Sequence, residues 1–149
     1  MSENYKPLGM KWHNFLIYFA LWTGGIGSFV SAAYIFCGMH YGNVKDRVYA
    51  AFPSLQFVDV AYAAALAVLG VYCIYVRYQL AGLKKDAPKK LLTMFVLYAI
   101  VPLAYVALLS ALTGVSLDAG EIIKDLIGSG VAFIINRTYY NNRKELFVN

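Results

Sequence analysis

One carboxylate stands inside an otherwise uncharged apolar stretch: Asp59, in the segment 57–76. A carboxylate is costly in hydrocarbon, so an acid within a membrane segment marks an ion or proton site by default. Asp59 also has a structural reading, because it falls about one turn inside the outer end of its helix. There the positive end of the helix dipole or a polar neighbour can stabilise it. A second acidic group, Asp118, Glu121 and Asp125, is spaced by three and then four residues. On a helix these share one face, and such a stripe can gather cations at a pore mouth. Asp118 and Glu121 also have capping-box spacing, with aspartate in place of serine or threonine, which makes the stripe a wet helix start.

The other reactive side chains form no recognisable constellation. His13 and His40 fall on opposite sides of the membrane in the topology below, so they share no metal. Cys37 and Cys73 differ in depth by roughly 20 Å at the helical rise, whereas a disulfide needs Cα atoms within about 7 Å. No zinc-protease, nucleophile-elbow or P-loop motif is present. The sequence therefore points to no cofactor, no metal and no enzymatic chemistry. A lipid-modifying enzyme built on His13, Asn14 and Arg77 is the weakest of the classes considered.

The elements that position these residues are membrane helices. Only 14% of the 149 residues are charged and 60% are hydrophobic, against about 25% charged in soluble domains. A bilayer core needs about 20 consecutive apolar residues in a helix. Four segments are expected to span: 14–38, 57–76, 91–113 and 119–139, the last resting on a shorter apolar stretch. None alternates with period two, so a barrel is excluded. The fold class is all-α: a polytopic membrane protein, one domain, four antiparallel helices in a bundle. The first apolar run is about 25 residues, longer than the 7–15 of a signal peptide, and is read as a retained helix. Pro102 removes one backbone donor in the third span, where a kink is expected. The outer connection, 39–56, is expected to carry a short surface helix near 44–52.

Charge sets the orientation. With four spans, one side holds Lys6, Lys11, Arg77, Lys84, Lys85, Lys89, Lys90, Arg137, Arg143 and Lys144, and the other only Lys45, Arg47 and Lys124. Cytoplasmic sides are enriched in such cations, so both termini are expected in the cytoplasm. Three spans would put Arg137, Arg143 and Lys144 outside. The basic connection 77–90 then lies against the inner leaflet. There Arg77, Lys84, Lys85, Lys89 and Lys90 are candidate contacts to anionic lipid headgroups. The basic balance needs no nucleic acid to explain it. The Asn136-Arg137-Thr138 sequon falls on the cytoplasmic side and is expected to be unused.

Membrane helices pack through small residues and interhelical hydrogen bonds. Gly24 and Ser28, Ala63 and Ala67, and Gly128 and Ala132 are each four apart and mark candidate packing faces, internal or between copies. Trp12, Tyr75, Tyr78, Tyr139 and Tyr140 fall at the cytoplasmic boundary, and Tyr34, Tyr41 and Tyr49 at or beyond the outer one. Tyr18, Trp22, Tyr98 and Tyr105 lie deeper and are expected to find partners inside the bundle.

The stretches Lys11-Trp12-His13-Asn14-Phe15-Leu16-Ile17-Tyr18-Phe19 and Tyr75-Val76-Arg77-Tyr78-Gln79-Leu80, with the ending Phe147-Val148-Asn149, resemble a loose group of small uncharacterised four-helix bacterial inner-membrane proteins. Some of these carry an amino-terminal zinc ribbon, for which this chain lacks the paired cysteines. The resemblance implies a bacterial cytoplasmic membrane and carries over no activity and no site. Small multidrug exporters are similar in size, but their coupling glutamate in the first span has no counterpart here.

The reading that follows is a non-enzymatic, multi-pass membrane protein. It acts through protein–protein contacts as a scaffold, regulator or subunit, with membrane lipids, itself or another membrane protein as partners. The rival reading is a small oligomeric ion channel or transporter using Asp59 and the stripe Asp118, Glu121 and Asp125.

Overall fold

The computed structural model describes residues 9–115 and 119–149, the side chains of residues 119, 121, 122 and 125 excepted. Among the described residues every regular element is helical. The chain runs through α1 (Lys11–Phe15), a π-helical turn (Leu16–Ala20) and α2 (Leu21–Phe36) as one rod. A 3-10 segment (Met39–Val44), α3 (Lys45–Ala51), α4 (Pro53–Ala81), α5 (Ala87–Thr113), α6 (Ala119–Asn141) and a last 3-10 turn (Lys144–Leu146) follow.

Local chemistry places the breaks. Gly38 takes φ +68° after α2, a conformation that costs glycine little. Its amide donates to the Ile35 carbonyl at 2.8 Å, and Lys45 Nζ donates to the Cys37 carbonyl at 2.8 Å. Phe52 is extended, at φ −134° and ψ 76°, because the residue before a proline is pushed out of the helical region. Pro53 then opens α4 at a position where no backbone donor is needed. Gly114, φ +70°, ends α5.

Three runs are long and apolar enough to cross a membrane: Lys11–Ala51, Pro53–Ala81 and Ala87–Thr113. The first contains the Gly38 break, so its straight rod ends at Phe36. Large apolar side chains face outward along these helices, among them Tyr18 (69% exposed), Phe57 (79%) and Val68 (67%). Water-soluble monomers rarely expose so much contiguous apolar surface. The helices outrun the expected spans: α4 starts four residues before position 57 and ends five after 76, and α5 starts four before 91. Hydropathy marks only the hydrocarbon-length part, whereas the backbone stays helical until Gly82 and back to Asp86. The short surface helix expected near 44–52 is α3. Pro102 sits inside α5, which continues as one helix through Thr113.

The rod α1–α2 packs on α4, α4 on α5, and α5 on α6. At the end holding residue 9, the connection 82–86 and the residues after α6, a core gathers Leu16, Ile17, Val76, Leu80, Leu91 and Phe147. Phe147 is buried there, and the chain end clasps the connection through Lys85 N–H to the Asn149 carbonyl at 2.8 Å. This is called the termini end below, and the end with α3 the hairpin end.

One close helix crossing, α2 on α4, is glycine on glycine. A Cβ on Gly70 would meet the Gly25 carbonyl oxygen at 3.1 Å, and one on Gly25 would meet Ile74 Cγ1 at 2.9 Å. The small residues read from sequence are placed unevenly around this crossing. Ser28 and Ala63 are buried, Gly24 lies 3.5 Å from Cys73 Sγ by its missing Cβ, and Ala67 is half-buried. Ala132 is half-buried, and its carbonyl accepts from Asn136 Nδ2. A Cβ at Gly128 would meet nothing within 4 Å, so its side of α6 is open in the single chain.

The π-helical turn has no precedent in the sequence pattern. Widening the helix shifts carbonyls from their usual i+4 donors, and α4 sends two side-chain donors to carbonyls in and beside the turn. Arg77 Nε donates to the Ile17 carbonyl at 3.0 Å and Cys73 Sγ to the Leu21 carbonyl at 3.2 Å. The two donors are four residues apart on α4 and the two acceptors four apart on the rod, so one helix face serves the other in register. Arg77 also lies 5.2 Å from the Trp22 ring and 4.7 Å from the Tyr78 ring.

Candidate functional site

Asp59 is 1% exposed. Because α4 begins at Pro53, Asp59 sits nearly two turns inside the helix. The dipole effect fades within the first turn, so side chains from other elements must hold it. Tyr105 on α5 donates to Oδ1 at 2.8 Å, and Tyr49 on α3 donates to Oδ2 at 2.9 Å. His40 Nε2, from the 3-10 segment, lies 3.6 Å from Oδ2 and 3.5 Å from the Tyr105 hydroxyl.

Rings enclose this set. Tyr62 stacks on Tyr105 at 3.9 Å and 9° between planes. His40 lies 3.9 Å from the Tyr41 ring, and Tyr41 meets Tyr49 edge-on at 5.5 Å. A buried charge is tolerated only when paired and hydrogen-bonded, and two hydroxyl donors with a facing imidazole meet that condition. Two further buried polar atoms at the same place, His40 Nδ1 and the Tyr41 hydroxyl, have no hydrogen-bond partner among the described residues.

Two chemical consequences follow. The carboxylate ties α3 and the 3-10 segment down onto α4 and α5, because its three neighbours Tyr105, Tyr49 and His40 come from three different elements. Asp59, His40 and Tyr105 also form a contiguous set of titratable groups whose polar atoms lie within 3.6 Å of one another.

The sequence singles out Asp59 and gives Tyr105 a partner in the bundle without naming it. It places Tyr49 at the boundary and weighs His40 only as a metal ligand. The signal for the missing partners was the Phe52-Pro53 elbow between Tyr49 and Asp59, ten residues apart. A bend there folds α3 back along α4. Of the other deep aromatic residues, Tyr98 hydrogen-bonds Ser28 and Trp22 packs on Arg77, while Tyr18 faces outward. Of the acidic stripe, Asp118 lies outside the described residues, and so do the side chains of Glu121 and Asp125.

At the termini end the candidate headgroup residues divide. Lys84, Lys85 and Lys89 are exposed. Arg77 is turned to Ile17 as above, and Lys90 Nζ donates to the Tyr75 hydroxyl at 2.8 Å and to Gln79 Oε1 at 3.1 Å. His13 is buried against Phe147, with Nδ1 hydrogen-bonded to the Tyr140 hydroxyl at 3.0 Å. Asn136 is 1% exposed and accepts from Trp12 Nε1 at 3.0 Å, so the folded sequon offers no amide to a glycosylating enzyme.

The fold and its outward apolar surface define a helical membrane protein. Comparison of the chain with protein-family models, curated proteins and solved structures returns no match.

Proposed function

We propose that this chain is a four-span integral membrane protein with both termini in the cytoplasm. It works without enzymatic chemistry, through lateral contacts with copies of itself or with other membrane proteins. The observation that carries this reading is the internal use of the buried carboxylate. Asp59 spends its oxygens on Tyr49 and Tyr105, while the outward helix surfaces are apolar. α6 supports the fourth span by length: its 23 residues make about 34 Å at the helical rise, against a hydrocarbon core of about 30 Å. It runs back along α5, and the cations of its last turns then join those of the 82–86 connection. The bacterial cytoplasmic membrane rests on the resemblance drawn from the sequence.

The test is disulfide cross-linking in native membranes from single cysteines at exposed positions such as Val68 and Val71, in a Cys37→Ser, Cys73→Ser background. A cross-linked dimer or a defined hetero-adduct is expected. Exclusively monomeric chain from every exposed face would contradict the reading.

A second reading, proton or cation movement through Asp59, is favoured by the unpartnered His40 Nδ1 and Tyr41 hydroxyl beside it. Purified chain in liposomes that dissipates an imposed proton gradient, with the activity lost in Asp59→Asn, would support it. No flux above empty liposomes would dismiss it.

A further inference from the structure

Between the start of α5 and the last turns of α6 lies a pocket of about 350 Å³ whose rim carries Lys85, Lys89, Arg137 and Lys144. Among the described residues Asp86 is the one acidic side chain lining it, and its contact with Lys89 is long, 3.9 Å between exposed groups, which neutralises little. Arg137 and Lys144 arrive from the far end of the sequence, so the charge is assembled by the fold rather than by the basic run 84–90 alone. The floor is apolar, made by Leu92 and Phe147.

The same two helices continue the feature inward. One turn beyond Leu92 on α5, and one turn before Arg137 on α6, an apolar groove of about 320 Å³ opens between Val96, Ile100, Gly130, Phe133 and Ile134. From Leu92 to Ile100 is eight residues, about 12 Å along the helix. Cations come first, at the level of the chain termini. A dry channel follows at the depth of the apolar spans. That order is the order of parts in an anionic phospholipid.

We infer that this pocket and groove form one lipid site: Arg137, Lys144, Lys85 and Lys89 hold a phosphate-bearing headgroup, and the α5–α6 groove holds an acyl chain. Arginine presents a planar fork suited to phosphate oxygens, and each cation near the surface adds to the attraction. A free phosphate shares the headgroup chemistry but has no use for the groove. The inference requires only that α5 and α6 meet the bilayer, and stands apart from the lateral contacts proposed above.

The experiment is native mass spectrometry of the full chain in mild non-ionic detergent, titrated separately with phosphatidylglycerol, phosphatidylcholine, glycerol 3-phosphate and inorganic phosphate. Phosphatidylglycerol is expected to be retained about tenfold better than phosphatidylcholine. The pair Arg137→Gln with Lys144→Gln should reduce that retention about tenfold, and the charge-preserving pair Arg137→Lys with Lys144→Arg should keep most of it. Gly130→Phe should fill the groove without crowding the backbone, since a Cβ at Gly130 meets nothing within 4 Å. It should weaken phosphatidylglycerol and leave glycerol 3-phosphate unchanged. Equal retention of the two lipids, or retention untouched by the glutamine pair, would overturn the site. Inorganic phosphate binding as tightly as phosphatidylglycerol, with Gly130→Phe silent, would assign the pocket to a soluble anion and overturn the lipid.

Discussion

Tyr105 on α5 donates its hydroxyl proton to Asp59 on α4 across 2.8 Å, with the carboxylate all but closed to its surroundings. This bond joins α4 and α5 near the hairpin end, as Lys90 joins them near the termini end through Tyr75 and Gln79. Its partner from Tyr49 brings the hairpin onto the same carboxylate. Removing one donor leaves a buried acceptor unsatisfied, which costs about 1–3 kcal/mol. Tyr105→Phe and Tyr49→Phe should each lower the thermal unfolding midpoint in detergent. Because both donors serve one carboxylate, the double variant should depart from additivity by at least about 0.5 kcal/mol. Strict additivity would mean that the two hydroxyls do not share Asp59.

The Gly25–Gly70 crossing gives a second prediction, on packing. Gly70→Ala would set a methyl at 3.1 Å from the Gly25 carbonyl and 3.2 Å from the Phe29 ring, and forcing an extra methyl into a tight contact costs about 1–3 kcal/mol. Gly128→Ala meets nothing and should be neutral or gain up to about 1 kcal/mol from helix propensity. Unfolding midpoints of the two variants should move in opposite directions or differ clearly in size. Equal behaviour would remove the close crossing from the account.

Arg77 carries a third prediction. Arg77→Leu strips the Ile17 carbonyl of its donor beside the π-helical turn, with an expected loss of about 1–3 kcal/mol. Arg77→Lys should recover only part of it, because an ammonium cannot both reach the carbonyl and stack between Trp22 and Tyr78 as the planar guanidinium does. Full rescue by lysine would assign Arg77 to charge alone, as a headgroup contact.

These residues also show how far sequence reasoning reaches. Asp59 is legible because a lone carboxylate in an apolar run is costly wherever the helix lies. Its partners are not, because His40 and Tyr49 reach it only after Gly38 turns the chain and the Phe52-Pro53 elbow folds it back. The long-range geometry, not local periodicity, makes the site. Small-residue spacing points to the same side of α2: Ser28 and Ala32, four and eight residues after Gly24, are buried. It does not single out Gly25, the neighbour of Gly24, as the residue closest to Gly70, because that depends on how α2 crosses α4. Three long apolar helices were legible from hydropathy. Helix ends were not, since Gln56, Arg77 and Gln79 continue a backbone that hydropathy regards as finished.

A fourth prediction concerns the closure of α6 on the amino-terminal helix. Trp12→Phe removes the donor to Asn136, a buried amide. It should increase hydrogen exchange in the last turns of α6 and leave exchange around Gly70 as it was. Unchanged exchange in α6 would show that its docking rests on other contacts, such as Phe147 under Tyr140.

The whole account depends on a fourth crossing that returns the chain to its starting side. Single cysteines at Lys11, Asn43 and Lys144, in a background without Cys37 and Cys73, can be labelled in intact cells with a membrane-impermeant maleimide, before and after permeabilisation. Only the cysteine at Asn43 should react from outside, with those at Lys11 and Lys144 protected until the membrane is opened. External labelling at Lys144 with protection at Lys11 would mean an odd number of crossings and would contradict the proposed four-span topology.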